Sequence, residues 1–275
     1  VAIGAGILVG ALTSPEPLLL AGGSAIGLAL LVPAFRRLTP GGTLLLAAGL
    51  PAAVLLRGLL TFAFFGPDAY LPLLLQDWRD TSAALTGLAY TAATLSWTAG
   101  SWLQARRIER VGPRAFVVLG FVIVGVGTVA TMAVLLRVVP PELSVATWAL
   151  TGLGMGFAYS ALTVIVLRDA VPSEQGHVTS ALQLAETLGT ALGIGLAGAF
   201  VAAAVRAGAG ETLGIALAAV FGLGVVAASG GALASGRLRT RGSERHRART
   251  GTVAASGEVP VEVPADRSAT AGPGG

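Results

Sequence analysis

The chain has 275 residues, of which 54% are hydrophobic and only 12% charged, and its mean hydropathy is +0.78. Soluble domains carry about twice that charged fraction, so the composition excludes an ordinary soluble enzyme or binding module and indicates a polytopic membrane protein. The net charge of +4 comes from 18 basic residues. All are arginine, gathered at the ends of apolar runs and in the tail, where they act as topology signals rather than as a nucleic-acid surface.

The chain has no cysteine, and its histidines are His177 and His246. The sequence therefore offers no disulfide, no thiolate nucleophile and no histidine-based metal site, and no cofactor is expected. There is no Gly-x-Ser-x-Gly and no phosphate loop, so nothing points to an enzyme.

Residues 1–36 read as the end of one helix followed by a full transmembrane helix. Val1–Leu12 is too short to span, and it lacks the charged start and cleavage site of a signal peptide, so a truncated chain, or one translated from a mis-assigned start, is expected. The span at 17–35 closes on Arg36, Arg37 and the Pro40-Gly41-Gly42 breaker, which assigns that end to the cytoplasm. Residues 37–50 form a linker whose part from 43 to 50 either lies along the interface or begins the next span. Six further spans follow, at about 51–75, 81–103, 115–136, 144–167, 178–205 and 212–234.

With that count the loops alternate sides. Inside loops hold Arg106, Arg107, Arg110 and Arg114, then Arg168, then Arg237 through Arg249. Outside loops pair their arginines with acids: Arg79 with Asp77 and Asp80, Arg137 with Glu142, Arg206 with Glu211. The asymmetry places the C-terminus in the cytoplasm, and a multi-pass protein of the plasma membrane is expected. Residues 236–275 are expected to be a basic, then disordered, cytoplasmic tail whose arginines sit against anionic headgroups, each worth roughly 1 kcal/mol.

The run from Pro51 to Gln76 is long enough to cross a bilayer yet carries Arg57, Asp68 and a Gly66-Pro67 pair. An ionisable group at membrane depth costs on the order of 2.5–3.5 kcal/mol on insertion scales, so it marks a polar pathway or a buried charge pair. Glu186 is the other such charge. Arg57 lies six residues beyond Pro51 and Glu186 eight beyond Val178. Both are then about 9–12 Å deep from the same face, and an Arg57–Glu186 pair is expected. Desolvation favours a neutral carboxyl while a nearby arginine favours an ionised one. Asp68, about 16 Å along its helix from Arg57, has no evident partner, which makes it the better proton carrier unless it lies in an outer aqueous vestibule.

The six spans divide into two triples of opposite orientation, the inverted-repeat plan of secondary transporters. Candidate helix breaks fall at matching places: Gly66 and Pro67 in the first span of one triple, Gly152, Gly154 and Gly156 in the first span of the other. The glycines could instead serve close helix packing, as in Gly189-xxx-Gly193. Tyr70, Met155 and Tyr159 beside these breaks are cavity candidates, and Gln183, one turn before Glu186, extends a polar track or bonds a neighbouring helix.

Three stretches carry a family resemblance: RGLLTFAFFGPDAYLPLLL, ARRIERVGPR, and VPSEQGHVTSALQLAETLGTALGIGLAGAF. The chain resembles the C-terminal half of a major facilitator superfamily transporter, most of all the multidrug:proton antiporters of actinobacterial type with 12 or 14 helices. Glu109, Arg110, Gly112 and Arg114 match the Asp-Arg-x-Gly-x-Arg core of that superfamily's cytoplasmic loop signature, while Ala105 and Arg107 depart from its Gly and Leu. The resemblance implies an all-α membrane protein. Its core would be a six-helix bundle of two inverted three-helix repeats at 51–235, with one or two preceding helices.

It also implies alternating access, with substrate held between this bundle and a missing N-terminal half. Residues 1–36 would be the extra helix pair of fourteen-helix members or the end of the first six. Pairing of Glu109 with Arg106 or Arg110 resembles a gating latch. The expected function is proton-coupled efflux of hydrophobic or amphipathic drugs. The partners would be the lipid bilayer, a small hydrophobic substrate, protons and the N-terminal half. The alternatives are a nutrient or metabolite facilitator of the same fold, or a transport-incompetent half or accessory membrane protein.

Overall fold

The computed structural model describes residues 1–238. The basic and low-complexity tail expected beyond them lies outside the described residues. Among the described residues the protein is all helical. Eight helices follow in order: α1 (Ala2–Leu12), α2 (Pro17–Leu38), α3 (Leu50–Asp68), α4 (Ala83–Val111), α5 (Pro113–Met132), α6 (Leu143–Asp169), α7 (Gln175–Arg206) and α8 (Glu211–Ala234).

Six of these, counting α3 with its extension to Trp78, are long and apolar enough to cross a membrane. Helix α1, at 11 residues, is shorter than a bilayer requires. Helix α4 has 29 residues, about 43 Å of helix, but it is more polar than the rest. Its threonines solve the hydrogen-bonding problem locally: Thr91, Thr94 and Thr98 each donate to the carbonyl four residues back.

The chain reverses direction at every connection, so its ends sort into two groups. At the arginine-rich end, the Gly49 amide donates to the Arg237 carbonyl at 3.2 Å, joining the start of α3 to the turn after α8. At the opposite end, the Arg206 guanidinium donates to the Thr13 carbonyl at 3.2 Å.

The packing repeats itself. Helix α4 runs along α6 as α7 runs along α3, and α5 packs on α6 as α8 packs on α3. Exchanging α3–α4–α5 for α6–α7–α8 preserves every one of these contacts while reversing helix direction, which is the signature of two inverted three-helix repeats.

Glycines make the two main crossings possible. Helix α6 is continuous through Gly152, Gly154 and Gly156, so these residues do not break it. A Cβ on Gly152 would stand 2.9 Å from Ala93 Cα, and one on Gly154 would stand 2.7 Å from the Gly120 carbonyl oxygen. The corresponding crossing of α3 and α7 uses Gly58, Gly66, Gly189 and Gly193. Lipid tails are as apolar as leucine, so helices here gain by close approach, and small residues permit it.

The helix is likewise intact at Gly66 and Pro67. It runs to Asp68, turns at Ala69 and Tyr70, and resumes as a π-helical segment from Leu73 to Trp78. The cause lies one turn later than expected. Residue 72 is also proline and has no amide to offer the Asp68 carbonyl. That orphan acceptor takes a hydrogen bond from the Tyr90 hydroxyl of α4, at 2.7 Å. Beyond the π segment, Trp78 Nε1 donates to the Leu135 carbonyl at 3.0 Å, and the Arg79 guanidinium donates to the carbonyls of Val134, Leu136 and Val139. These groups cap the end of α5, so Arg79 is a structural cation as well as a loop charge.

Gly189→Val should lower the thermal stability of the detergent-solubilised protein by about 1–3 kcal/mol, because its Cβ would stand 2.7 Å from the Gly58 carbonyl carbon. Gly87→Ala on the open face of α4, where a Cβ meets nothing within 4 Å, should leave the melting temperature unchanged or raise it.

Candidate functional site

Arg57 is the organising residue. It lies two turns into α3, 1% exposed, and four groups from two other helices meet it. Its Nη2 donates to the Tyr159 carbonyl at 3.0 Å and to the Thr163 hydroxyl of α6. Its guanidinium carbon stacks 3.5 Å from the centroid of the Tyr159 ring, a cation–π contact strengthened by exclusion of water. Its Nη1 lies 3.9 Å from Glu186 Oε2 of α7.

The Tyr159 hydroxyl donates to the same carboxylate oxygen at 2.9 Å. Tyr159 therefore touches the cation with its face and backbone, and the anion with its hydroxyl. Thr61, one turn beyond Arg57, donates to the Glu186 carbonyl at 3.0 Å and pins α7 at this level. The satisfaction is incomplete: Arg57 Nε and Nη1 are buried without a hydrogen-bond partner.

A wall of aromatic side chains leads from this cluster to the second carboxyl. Tyr159 packs edge-on against Trp97 of α4 at 5.6 Å, Trp97 against Phe64 of α3 at 5.7 Å, and Phe64 stacks on Trp148 of α6 at 5.4 Å. Trp148 Nε1 then donates to Asp68 Oδ1 at 3.0 Å. Asp68 thus does have a partner, contrary to the expectation from sequence, and that partner is an indole rather than a cation. Phe65, Trp97, Tyr159 and Glu186 are each half-buried, so α3, α4, α6 and α7 contribute one side chain apiece to the open edge of the site.

The other sequence candidates fall in different places. Met155 is fully buried and fills the bundle interior, so it does not face a cavity. Tyr70 reaches across to α7, where its hydroxyl donates to the Ile194 carbonyl at 3.3 Å, fastening helices away from Glu186. The Gln183 side chain is exposed on α7, a turn from Glu186.

Glu109 and Arg110 belong to the last turn of α4 rather than to a loop, and the turn itself is Gly112 alone, with φ +88°. Pro113 then opens α5 and Arg114 follows in its first turn. The Glu109 carboxylate pairs with Arg168 at the end of α6, not with Arg106 or Arg110. Arg106 instead stacks 3.7 Å from the centroid of the Trp102 ring. Sequence reasoning missed Trp148, Tyr90 and Thr163. A tryptophan inside an apolar span was the available signal for the first.

Arg57→Ala should cost up to about 3 kcal/mol of stability, because it strips Glu186 of its counter-charge and the Thr163 hydroxyl of its donor. Adding Glu186→Gln should recover part of that loss in thermal melts of the purified protein. Trp148→Phe keeps the ring stack and removes only the donor to Asp68, so its cost should be about 1.5–3 kcal/mol.

A family model of the Major Facilitator Superfamily matches residues 1–194. No curated protein and no solved structure matches the chain.

Proposed function

The chain belongs to the major facilitator superfamily of membrane transporters, and from that premise we propose that it is a proton-coupled efflux carrier for hydrophobic or amphipathic compounds, of the multidrug antiporter kind. The observation that carries this reading is an aromatic wall running between two membrane-depth carboxyls, Glu186 and Asp68. Rings of Trp97, Phe65 and Tyr159 offer stacking and cation–π surface to flat or cationic lipophilic molecules without demanding one shape. The carboxyls supply the proton chemistry.

In this reading the two acids divide the work. Glu186 is held by Arg57 and Tyr159, so its charge is matched while the helices stay in their present arrangement. Among the described residues no arginine forms an ion pair with Asp68, and its side chain accepts one indole hydrogen bond. Asp68 is therefore the proton carrier. Protonation there alters the Trp148–Phe64–Trp97 stack, and the stack meets the Arg57 cluster through Tyr159. Arg57 Nε and Nη1, which make no hydrogen bond, leave room for a second pairing pattern in the other half of the cycle.

Alternating access requires a second six-helix bundle. It would face the open edge of α3, α4, α6 and α7, where the exposed hydroxyls of Thr91, Thr94, Thr98 and Thr187 and the Gln183 amide suit an aqueous pathway better than lipid. A reading frame ahead of Val1 or a separate chain would supply it. The arginine-rich end is cytoplasmic by the positive-inside rule, in a plasma-membrane setting with the C-terminus inside.

The test is dye movement in inverted vesicles containing the full-length protein, driven by an imposed pH gradient and collapsed by a protonophore. Gradient-driven movement of lipophilic dyes is expected, and Asp68→Asn should abolish it while insertion stays normal. Unchanged gradient-driven transport in Asp68→Asn would remove its proton role. No movement across a panel of lipophilic cations and neutral drugs, with folded protein in the membrane, would overturn the efflux reading.

A further inference from the structure

Helix α2 packs closely on α1 but is held off the main bundle. Between α2 and the α3–α7 face runs an apolar groove of about 320 Å³, lined by Leu28, Val32, Leu55, Leu59, Phe62 and Leu192. Its floor is the crossing where Gly58 meets Gly189. At the arginine-rich end the groove reaches Leu44, and Leu44 also lines a second cavity of about 320 Å³. That cavity is half polar, lined by Arg36, Thr39, Thr43, Leu45 and the Pro40-Gly41-Gly42 turn. The two cavities meet at Leu44 and together make an amphipathic volume, apolar in the groove and half polar beside Arg36.

We propose that this volume is a binding site for one anionic phospholipid. A groove with apolar walls gives water no partners, and left unfilled it forfeits dispersion contacts along both flanks. In a bilayer the abundant apolar filler is an acyl chain. From Leu28 to Arg36 is eight residues of α2, about 12 Å, so a chain lying in the groove brings its phosphate to the polar cavity.

Charge selects the headgroup. Arg36 and Arg37 are exposed, and no acidic residue occurs between Glu16 and Asp68. A guanidinium prefers a phosphate oxygen it can hold with two donors. The lipid would then join α2 to the bundle in place of direct helix contact. The lipid site is separate from that of the transported substrate, since the groove lies behind the Gly58–Gly189 crossing and not at the aromatic wall.

The test uses the full chain, purified in mild detergent and titrated in native mass spectrometry. The probes are phosphatidylglycerol, phosphatidylcholine with identical tails, and inorganic phosphate. Phosphatidylglycerol should be retained at least about fivefold better than phosphatidylcholine. Arg36→Gln combined with Arg37→Gln should erase that preference, and both residues are exposed, so folding should survive. Val32→Trp, which fills the groove, should lower retention of both lipids. Equal retention of the two lipids by the unmodified chain, an unchanged preference in the double arginine variant, or phosphate binding as tight as that of phosphatidylglycerol would each overturn the proposal.

Discussion

A guanidinium that is 1% exposed at membrane depth is the constraint around which the bundle is arranged. Its hydration is gone, and only protein groups can replace it. The replacement comes from α6 and α7 together: a ring face, a carbonyl and a hydroxyl from one, a carboxylate from the other. Since α6 belongs to one triple with α7, and Arg57 to the other, the charge is satisfied only when the two inverted repeats are assembled. Burial of one side chain thereby enforces the relation between the repeats.

The same rule governs the backbone. Within hydrocarbon every carbonyl must find a donor inside the protein, and the irregular stretch after Asp68 shows how this is met. Two prolines in one helix release acceptors, a tyrosine from the neighbouring helix answers one, and the crossing glycines bring α8 close to the other: a Cβ on Gly224 would lie 2.8 Å from the Ala63 carbonyl oxygen. Ser96 donates to its own helix and to Ala149, and Ser101 meets Ser160 at 3.1 Å. The α4–α6 crossing is thus stitched by small hydroxyls where it is tightest.

Much of this architecture was legible in the sequence because it rests on composition along one axis. Apolar run length and the sidedness of arginine need no knowledge of helix rotation, and the shared depth of Arg57 and Glu186 follows from residue counting alone. What escaped depends on rotation about the helix axis. Nothing in the spacing says that Trp148 faces Asp68, that Met155 faces inward while Tyr159, one turn on, reaches the open edge, or that Glu109 points to Arg168. The glycine runs were ambiguous for a different reason. A glycine that lets a helix bend and one that lets a second helix approach look alike in sequence, and only the neighbouring backbone separates them.

The π-helical segment from Leu73 to Trp78 has a consequence for chain length. A π turn accommodates one more residue than an α turn, so this stretch acts as an insertion absorbed within a helix. Each residue rotates an α-helix by about 100°. Relatives lacking one residue here would wind this turn as ordinary α-helix and still present the Trp78–Arg79 pair to α5, whereas an α turn that kept every residue would swing the pair by about a quarter turn or more. Aligned sequences should therefore show a one-residue gap in this turn with the Trp–Arg cap of α5 retained beyond it.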